Sequence, residues 1–118
     1  MIKSFRDLVA YQKAYEMSLE LHKLTLTFPA IERFELASQM RRSSKSVAMN
    51  IAEGFGKNSS LSEFKRFIGI AKGSLDEVRV CLDFCKDLGY ISNNQYKTYE
   101  ANCIELSKIL SSILKNWR

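Results

Sequence analysis

Apolar residues recur along this chain at alternating steps of three and four, the spacing that puts side chains on one face of an α-helix. Over residues 7–27 the stripe is Ala10, Ala14, Met17, Leu21 and Leu24. Phe28-Pro29 ends this first helix, because the residue before a proline is pushed out of the α region. A second helix over 34–53 carries Leu36, Met40, Val47 and Ile51, with the small Ser43 and Ser44 between them. A third over 60–88 carries Phe64, Ile68, Ala71, Leu75, Val78, Leu82 and Cys85. A fourth over 92–117 carries Tyr96, Tyr99, Cys103, Leu106, Leu110, Ile113 and Trp117. Ser60-Leu61-Ser62-Glu63 and Ser92-Asn93-Asn94-Gln95 read as capping boxes that open the last two helices. Gly54 and Gly89 are placed to stop the second and third. Short connections make successive helices antiparallel neighbours, and the heptad-like period favours shallow crossing angles. The expectation is one all-α domain over 1–118, an antiparallel up-down-up-down four-helix bundle.

Two helices carry more apolar surface than one core can use. On the first, Leu8, Tyr11, Tyr15, Leu19, His22 and Leu26 run nearly opposite the core stripe. A surface helix needs only one apolar face, so a second one calls for a cover, and another subunit is the simplest. On the third, Gly69, Ile70, Gly73, Val80 and Phe84 lie opposite the core stripe. Two glycines inside a helix cost about 1 kcal/mol each relative to alanine, and they let another backbone approach closely. That approach is either within the monomer or between subunits, and Val80 and Phe84 on the same face favour the second. The expected interface is Tyr11, Tyr15, Leu19, Gly69, Ile70, Gly73, Val80 and Phe84, and the expected state is a homo-oligomer.

Composition narrows the class. A single proline and five glycines among 118 residues suit long helices and not an all-β chain. No apolar run approaches the roughly 18 residues of a membrane span, and the N-terminus lacks the apolar region of a signal peptide. The three cysteines, an odd number without scaffold spacing, fit a reducing compartment, so a cytoplasmic protein is expected. Net charge is +5, and its placement matters more than its size. Residues 33–72 hold eight basic and three acidic side chains, a balance of +5, while the remainder holds ten of each. A basic segment suits an anionic partner such as RNA or DNA, or else it is a solvated face that aids solubility. The candidate nucleic-acid contacts are Arg41, Arg42, Lys45, Lys57, Lys65, Arg66 and Lys72. Lys65, Lys72, Arg79 and Lys86 also form an every-seventh stripe, diluted by Asp76 and Asp83.

Catalytic and metal motifs do not assemble. Gly54-Phe55-Gly56-Lys57 lacks the Walker spacing and follows a helix, not a strand. Cys81, Cys85, Cys103 and His22 could in principle ligate zinc, but Cys85 and Cys103 fall on core stripes, where cysteine acts as a small hydrophobe. A carboxylate di-iron centre needs Glu-x-x-His, and His22, the only histidine, has Leu19 at that position. Nor does any feature pair His22 with a nucleophile. Arg42, Asn50 and Glu53 form a polar stripe on the second helix, read as a structural polar cluster whose role is a buried or interfacial ion pair that fixes subunit register or, less simply, a general base. The expectation is no enzymatic activity, no metal, no cofactor and no small-molecule substrate.

Gln39-Met40-Arg41-Arg42-Ser43-Ser44, then Ser46-Val47, then Asn50-Ile51-Ala52-Glu53-Gly54-Phe55-Gly56, resembles the signature of the four-helix-bundle proteins encoded by intervening sequences of bacterial 23S ribosomal RNA genes. Tyr11-Gln12-Lys13-Ala14, Phe28-Pro29, Glu63-Phe64-x-Arg66-Phe67, Ile70-Ala71-x-Gly73-Ser74-x-x-Glu77 and Leu88-Gly89-Tyr90 extend the match. Tyr11 stands where that family often has Trp, and Glu35 where it often has Gly. The resemblance implies a ring-shaped homopentamer. It also implies a distant similarity to the basic accessory subunit of diversity-generating retroelements, which engages nucleic acid and a reverse transcriptase. The expected function is a non-enzymatic assembly that binds nucleic acid, RNA above DNA, through its basic surface. The alternative is a protein-protein scaffold or accessory subunit whose charge only tunes solubility.

Overall fold

Residues 2–57 and 59–117 are described by a computed structural model, in which four long helices form and no strand occurs among the described residues. They are α1 (Val9–Thr25), α2 (Leu36–Gly56), α3 (Leu61–Asp87) and α4 (Asn93–Asn116). Short 3-10 turns, Phe5–Asp7 and Ala30–Glu32, precede α1 and α2. α1 packs on α2, α2 on α3, α3 on α4, and α4 returns to α1, whereas α4 does not reach α2. This closed cycle is consistent with a four-helix bundle. None of these helices is long and apolar enough to cross a membrane.

The core is the set of stripes read from the spacing. Leu21, Met40, Val47, Ile51, Phe64, Ile68, Leu75, Val78, Leu82, Leu106 and Leu110 are fully buried. Each such side chain contributes about 1.5–3 kcal/mol relative to exposure. On α4 the stripe is buried only at Cys103, Leu106 and Leu110, while Tyr96, Tyr99, Ile113 and Trp117 sit half-buried at its rim.

The ends of α1 and α2 shift by two or three residues from the expected 7–27 and 34–53, and three of the expected end features differ. Asp7 does not begin α1: its Oδ2 accepts from the backbone N–H groups of Lys3 (2.8 Å) and Ser4 (3.1 Å), which closes a separate turn, and α1 starts at Val9. Gly54 does not stop α2, which runs on through Gly56. Gly54 is buried against α3, so glycine serves there for close approach and not for a left-handed turn. Position 58 of the expected 54–59 loop lies outside the described residues. Only half of the expected capping box opens α3: Ser60 Oγ accepts from the Glu63 N–H at 3.3 Å, but the Glu63 carboxylate turns to Arg66. At α4 the box is complete, with Ser92 and Gln95 exchanging bonds of 2.8 and 3.0 Å. Gly89 does stop α3, with φ +78° and the Tyr90 N–H donating to the Cys85 carbonyl at 2.8 Å.

Side chains tie the two connections at one end together. The Tyr90 hydroxyl donates to Glu32 Oε2 at 2.6 Å, and the Phe28 and Tyr90 rings lie 5.3 Å apart. Glu32 is buried, and the Tyr90 hydroxyl supplies its carboxylate with a hydrogen-bond donor.

Candidate nucleic-acid interface

The basic residues of 33–72 do not gather on one face. Arg41 faces α1, where its Nη1 donates to Thr25 Oγ1 at 3.1 Å and its Nη2 to the Arg33 carbonyl at 3.3 Å. One turn further along α2, Lys45 reaches His22 Nδ1 at 3.1 Å. Lys57 and Arg66 stand at the far end of α2, over the Phe67 ring at 6.0 and 4.6 Å from its centroid. Lys65 and Lys72 share a stripe of α3 with Arg79 and Lys86, both of which meet α4. Arg79 clasps Glu100 Oε1 with Nε (2.9 Å) and Nη2 (2.6 Å), and the Lys86 ammonium lies 4.3 Å from the Tyr96 ring centroid. The every-seventh stripe is therefore not an open phosphate track: half of it binds α4.

Ion pairing spares the basic segment. Among the described residues the ion pairs are Lys13 with Glu105, Arg66 with Glu63, and Arg79 with both Asp76 and Glu100. Within 33–72, only Arg66 is matched with a carboxylate.

Within one chain Arg42, Asn50 and Glu53 do not gather into a cluster. Eleven residues of helix rise about 16 Å, too far for Arg42 and Glu53 to pair directly. Arg42 instead opens onto a groove of about 570 Å³ between α2 and α3, which it shares with Glu35 and Glu77. Asn50 Nδ2 donates to the Ser46 carbonyl (2.8 Å) and Ser46 Oγ (3.0 Å), and Ser46 Oγ lies 2.9 Å from Ser74 Oγ. This polar bridge between α2 and α3 passes through two serines, Ser46 and Ser74, to which the sequence reading gave no structural role.

The expected oligomer residues divide by exposure. Tyr11 is half-buried between Phe5 and Tyr15, whose ring centroids are 4.9 and 5.8 Å from its own. Tyr15 and Leu19 are exposed, whereas Leu8, on the same outer stripe, is buried. Val80 (53%) and Phe84 (55%) are exposed on α3 beside Ile70, Gly69 and Gly73, and a Cβ at either glycine would meet nothing within 4 Å. A tight contact within the protomer is thus not what those glycines serve. Met49 (68%) and Phe34 (84%) on the α2 side, which the spacing did not single out, are also exposed.

The cysteines are inward and free. Burial pushes the Cys85 and Cys103 thiols up to about 12 and raises that of Cys81. Cys103 Sγ lies 3.8 Å from Met17 Sδ, while His22 lies at the α1–α2 edge. Among the described residues no group of three or more His, Cys, Asp or Glu side chains is placed to hold a metal ion.

Among solved structures, the chain is similar to a protein of unknown function from the S23 ribosomal protein family of Bacteroides thetaiotaomicron VPI-5482, solved at 1.70 Å. The two share 25% identity with a TM-score of 0.80, over 92% of this chain and 100% of that one. No curated protein matches the chain. The profile of the 23S rRNA-intervening sequence proteins matches residues 6–112, nearly the whole length, and the protein belongs to that family.

Proposed function

We propose that this protein is a non-enzymatic, cytoplasmic homo-oligomer that binds nucleic acid, RNA above DNA, through its cationic surface. Each chain is an antiparallel up-down-up-down bundle, and five form a ring. The observation that carries the reading is the unmatched charge of residues 33–72. Seven of the eight cations there (all but Arg66) have no carboxylate partner among the described residues, whereas the ion pairs elsewhere draw on the charge-balanced remainder. Unmatched cations on a folded surface attract polyanions. A ring would repeat the surface, so weak contacts add through effective concentration. RNA is preferred because the family takes its description from intervening sequences of 23S rRNA. The Tyr90–Glu32 bond, which joins the first and third connections, supports the up-down course. Exposed Tyr15, Leu19, Val80 and Phe84 support assembly, and thiols held protonated by burial support the absence of a cysteine nucleophile.

Filter binding of structured RNA across a salt series tests the reading. Affinity should fall log-linearly with salt, with a slope of about 0.9 per B-DNA phosphate contacted and about 0.7 per single-strand phosphate. An absence of binding even at low salt would overturn it. The second reading, a scaffold or accessory subunit, rests on the exposed apolar side chains Phe34, Met49, Val80 and Phe84, which suit a protein partner as well as a second copy.

A further inference from the structure

The grooves of this protein differ in charge. Those that include Glu35 and Glu77, Glu16 and Glu105, Asp76 and Glu100, or Glu32 and Glu35 each have carboxylates in their walls. A groove of about 430 Å³ at the corner of α1, the Ala30–Glu32 turn and α2 has none. Its polar wall is His22, Thr25, Arg33 and Arg41, and Leu26, Phe28 and Pro29 lie on its apolar side.

Neutral groups hold its cations in place. Thr25 Oγ1 donates to the His22 carbonyl at 2.6 Å, which leaves its lone pairs to accept from Arg41 Nη1. Arg41 Nη2 donates to the Arg33 carbonyl. The guanidinium has five N–H donors, so three remain, and no carboxylate cancels its charge. Lys45 Nζ lies 3.1 Å from His22 Nδ1, and a ring that accepts there from the ammonium presents Nε2–H as a further donor. Arg33 is exposed at the mouth, its guanidinium carbon 5.3 Å from the Phe34 ring centroid. Pre-oriented donors beside an apolar wall match a phosphate ester carried by a nucleoside, whose base needs an apolar surface. A concave site of this size takes an unpaired nucleotide in preference to the convex backbone of a duplex.

We infer that this groove is a phosphate site for single-stranded nucleic acid, in which Arg41 and Arg33 grip one phosphate, His22 lines the wall and Lys45 adds positive charge behind it. The inference rests on the nucleic-acid reading above and places its contact at the α1–α2 corner, not along α3.

Fluorescence anisotropy with a fluorescein-labelled single-stranded oligouridylate tests it. Arg33→Gln and Lys45→Gln change exposed side chains and should each weaken binding about tenfold or more, the loss expected for a charge-assisted hydrogen bond. Arg41→Gln should do the same, with its melting curve showing whether the α1–α2 junction survives. Lys97→Gln and Lys108→Gln remove equal charge from α4, which does not touch α2, and should change affinity by no more than about twofold. Displacement of the oligonucleotide by uridine 5′-monophosphate would identify the free nucleotide phosphate as sufficient. Sensitivity to the variants without displacement would assign the site to the strand. Binding that ignores Arg33, Arg41 and Lys45 would overturn the site and leave the nucleic-acid reading intact. Binding of neither oligouridylate nor structured RNA would overturn both.

Discussion

Gly54 of α2 and Phe67 of α3 meet so closely that a Cβ on Gly54 would stand 2.8 Å from the Phe67 Cβ and 3.3 Å from the Phe64 carbonyl oxygen. Both obstacles lie at or next to the α3 backbone, so neither can swing aside. Gly54→Ala should therefore push α2 and α3 apart. Overpacking of this kind costs about 1–3 kcal/mol, against a helix-propensity gain of about 1 kcal/mol. Thermal melting by circular dichroism should show a drop of a few degrees. Gly56→Ala, where a Cβ meets nothing within 4 Å, should hold or raise the melting point. Equal behaviour of the two variants would mean that the helices do not touch at Gly54.

Gly73→Leu should separate protomer folding from assembly. Open space surrounds the position within one chain, so helical content should be retained. If the face of Gly69, Gly73, Val80 and Phe84 is covered by another subunit, the leucine blocks it. Light scattering should give a wild-type mass several times 13.6 kDa and a smaller mass for the variant. A monomeric wild type, or an unchanged mass in the variant, would rule out this face as the interface.

Arg79 holds α4 to α3 by donating twice to Glu100 Oε1, while Glu100 Oε2 is buried with no hydrogen-bond partner. Arg79→Ala would leave that carboxylate enclosed and unmatched. A loss of about 1–3 kcal/mol in urea denaturation is expected. Glu100→Gln should cost less, because a neutral amide tolerates the site better than an orphaned charge. Arg79→Ala with no effect would show the pair to be solvated.

Stability should decline on the alkaline side. The Cys85 and Cys103 thiols rise by burial from 9.0 to about 12, and the Tyr96 hydroxyl rises from 10.0 to about 12, chiefly because it donates to Asp83. The folded chain keeps these protons where the unfolded chain releases them. The contribution is thus complete below about pH 9 and is lost as pH climbs toward about 12. Denaturation midpoints should fall across that window, and Cys103→Ala should flatten the fall. An unchanged slope in the variant would mean that Cys103 is reached by water.

The heptad-like spacing determined the number of helices, their core faces and most of their ends, because burial of an apolar stripe is a local property that each helix carries in its own residues. Gly89 and the Ser92–Gln95 box were legible for the same reason: their partners lie within a few residues. What depended on residues far apart in the chain was decided only by packing. Gly54 read as a stop because its partner, Phe67, sits on the next helix. Within one chain the Arg42–Glu53 pairing failed on distance along the helix, and Ser46 and Ser74 bridged α2 and α3 instead. The charge excess was visible as a run of residues, but its division among the α1–α2 corner, the Phe67 end and the α3 stripe was not. Helix rotation and neighbours assign each cation its surroundings, so only the tertiary structure could show that Arg41 is held by Thr25 and a carbonyl while Arg79 is bound to Glu100.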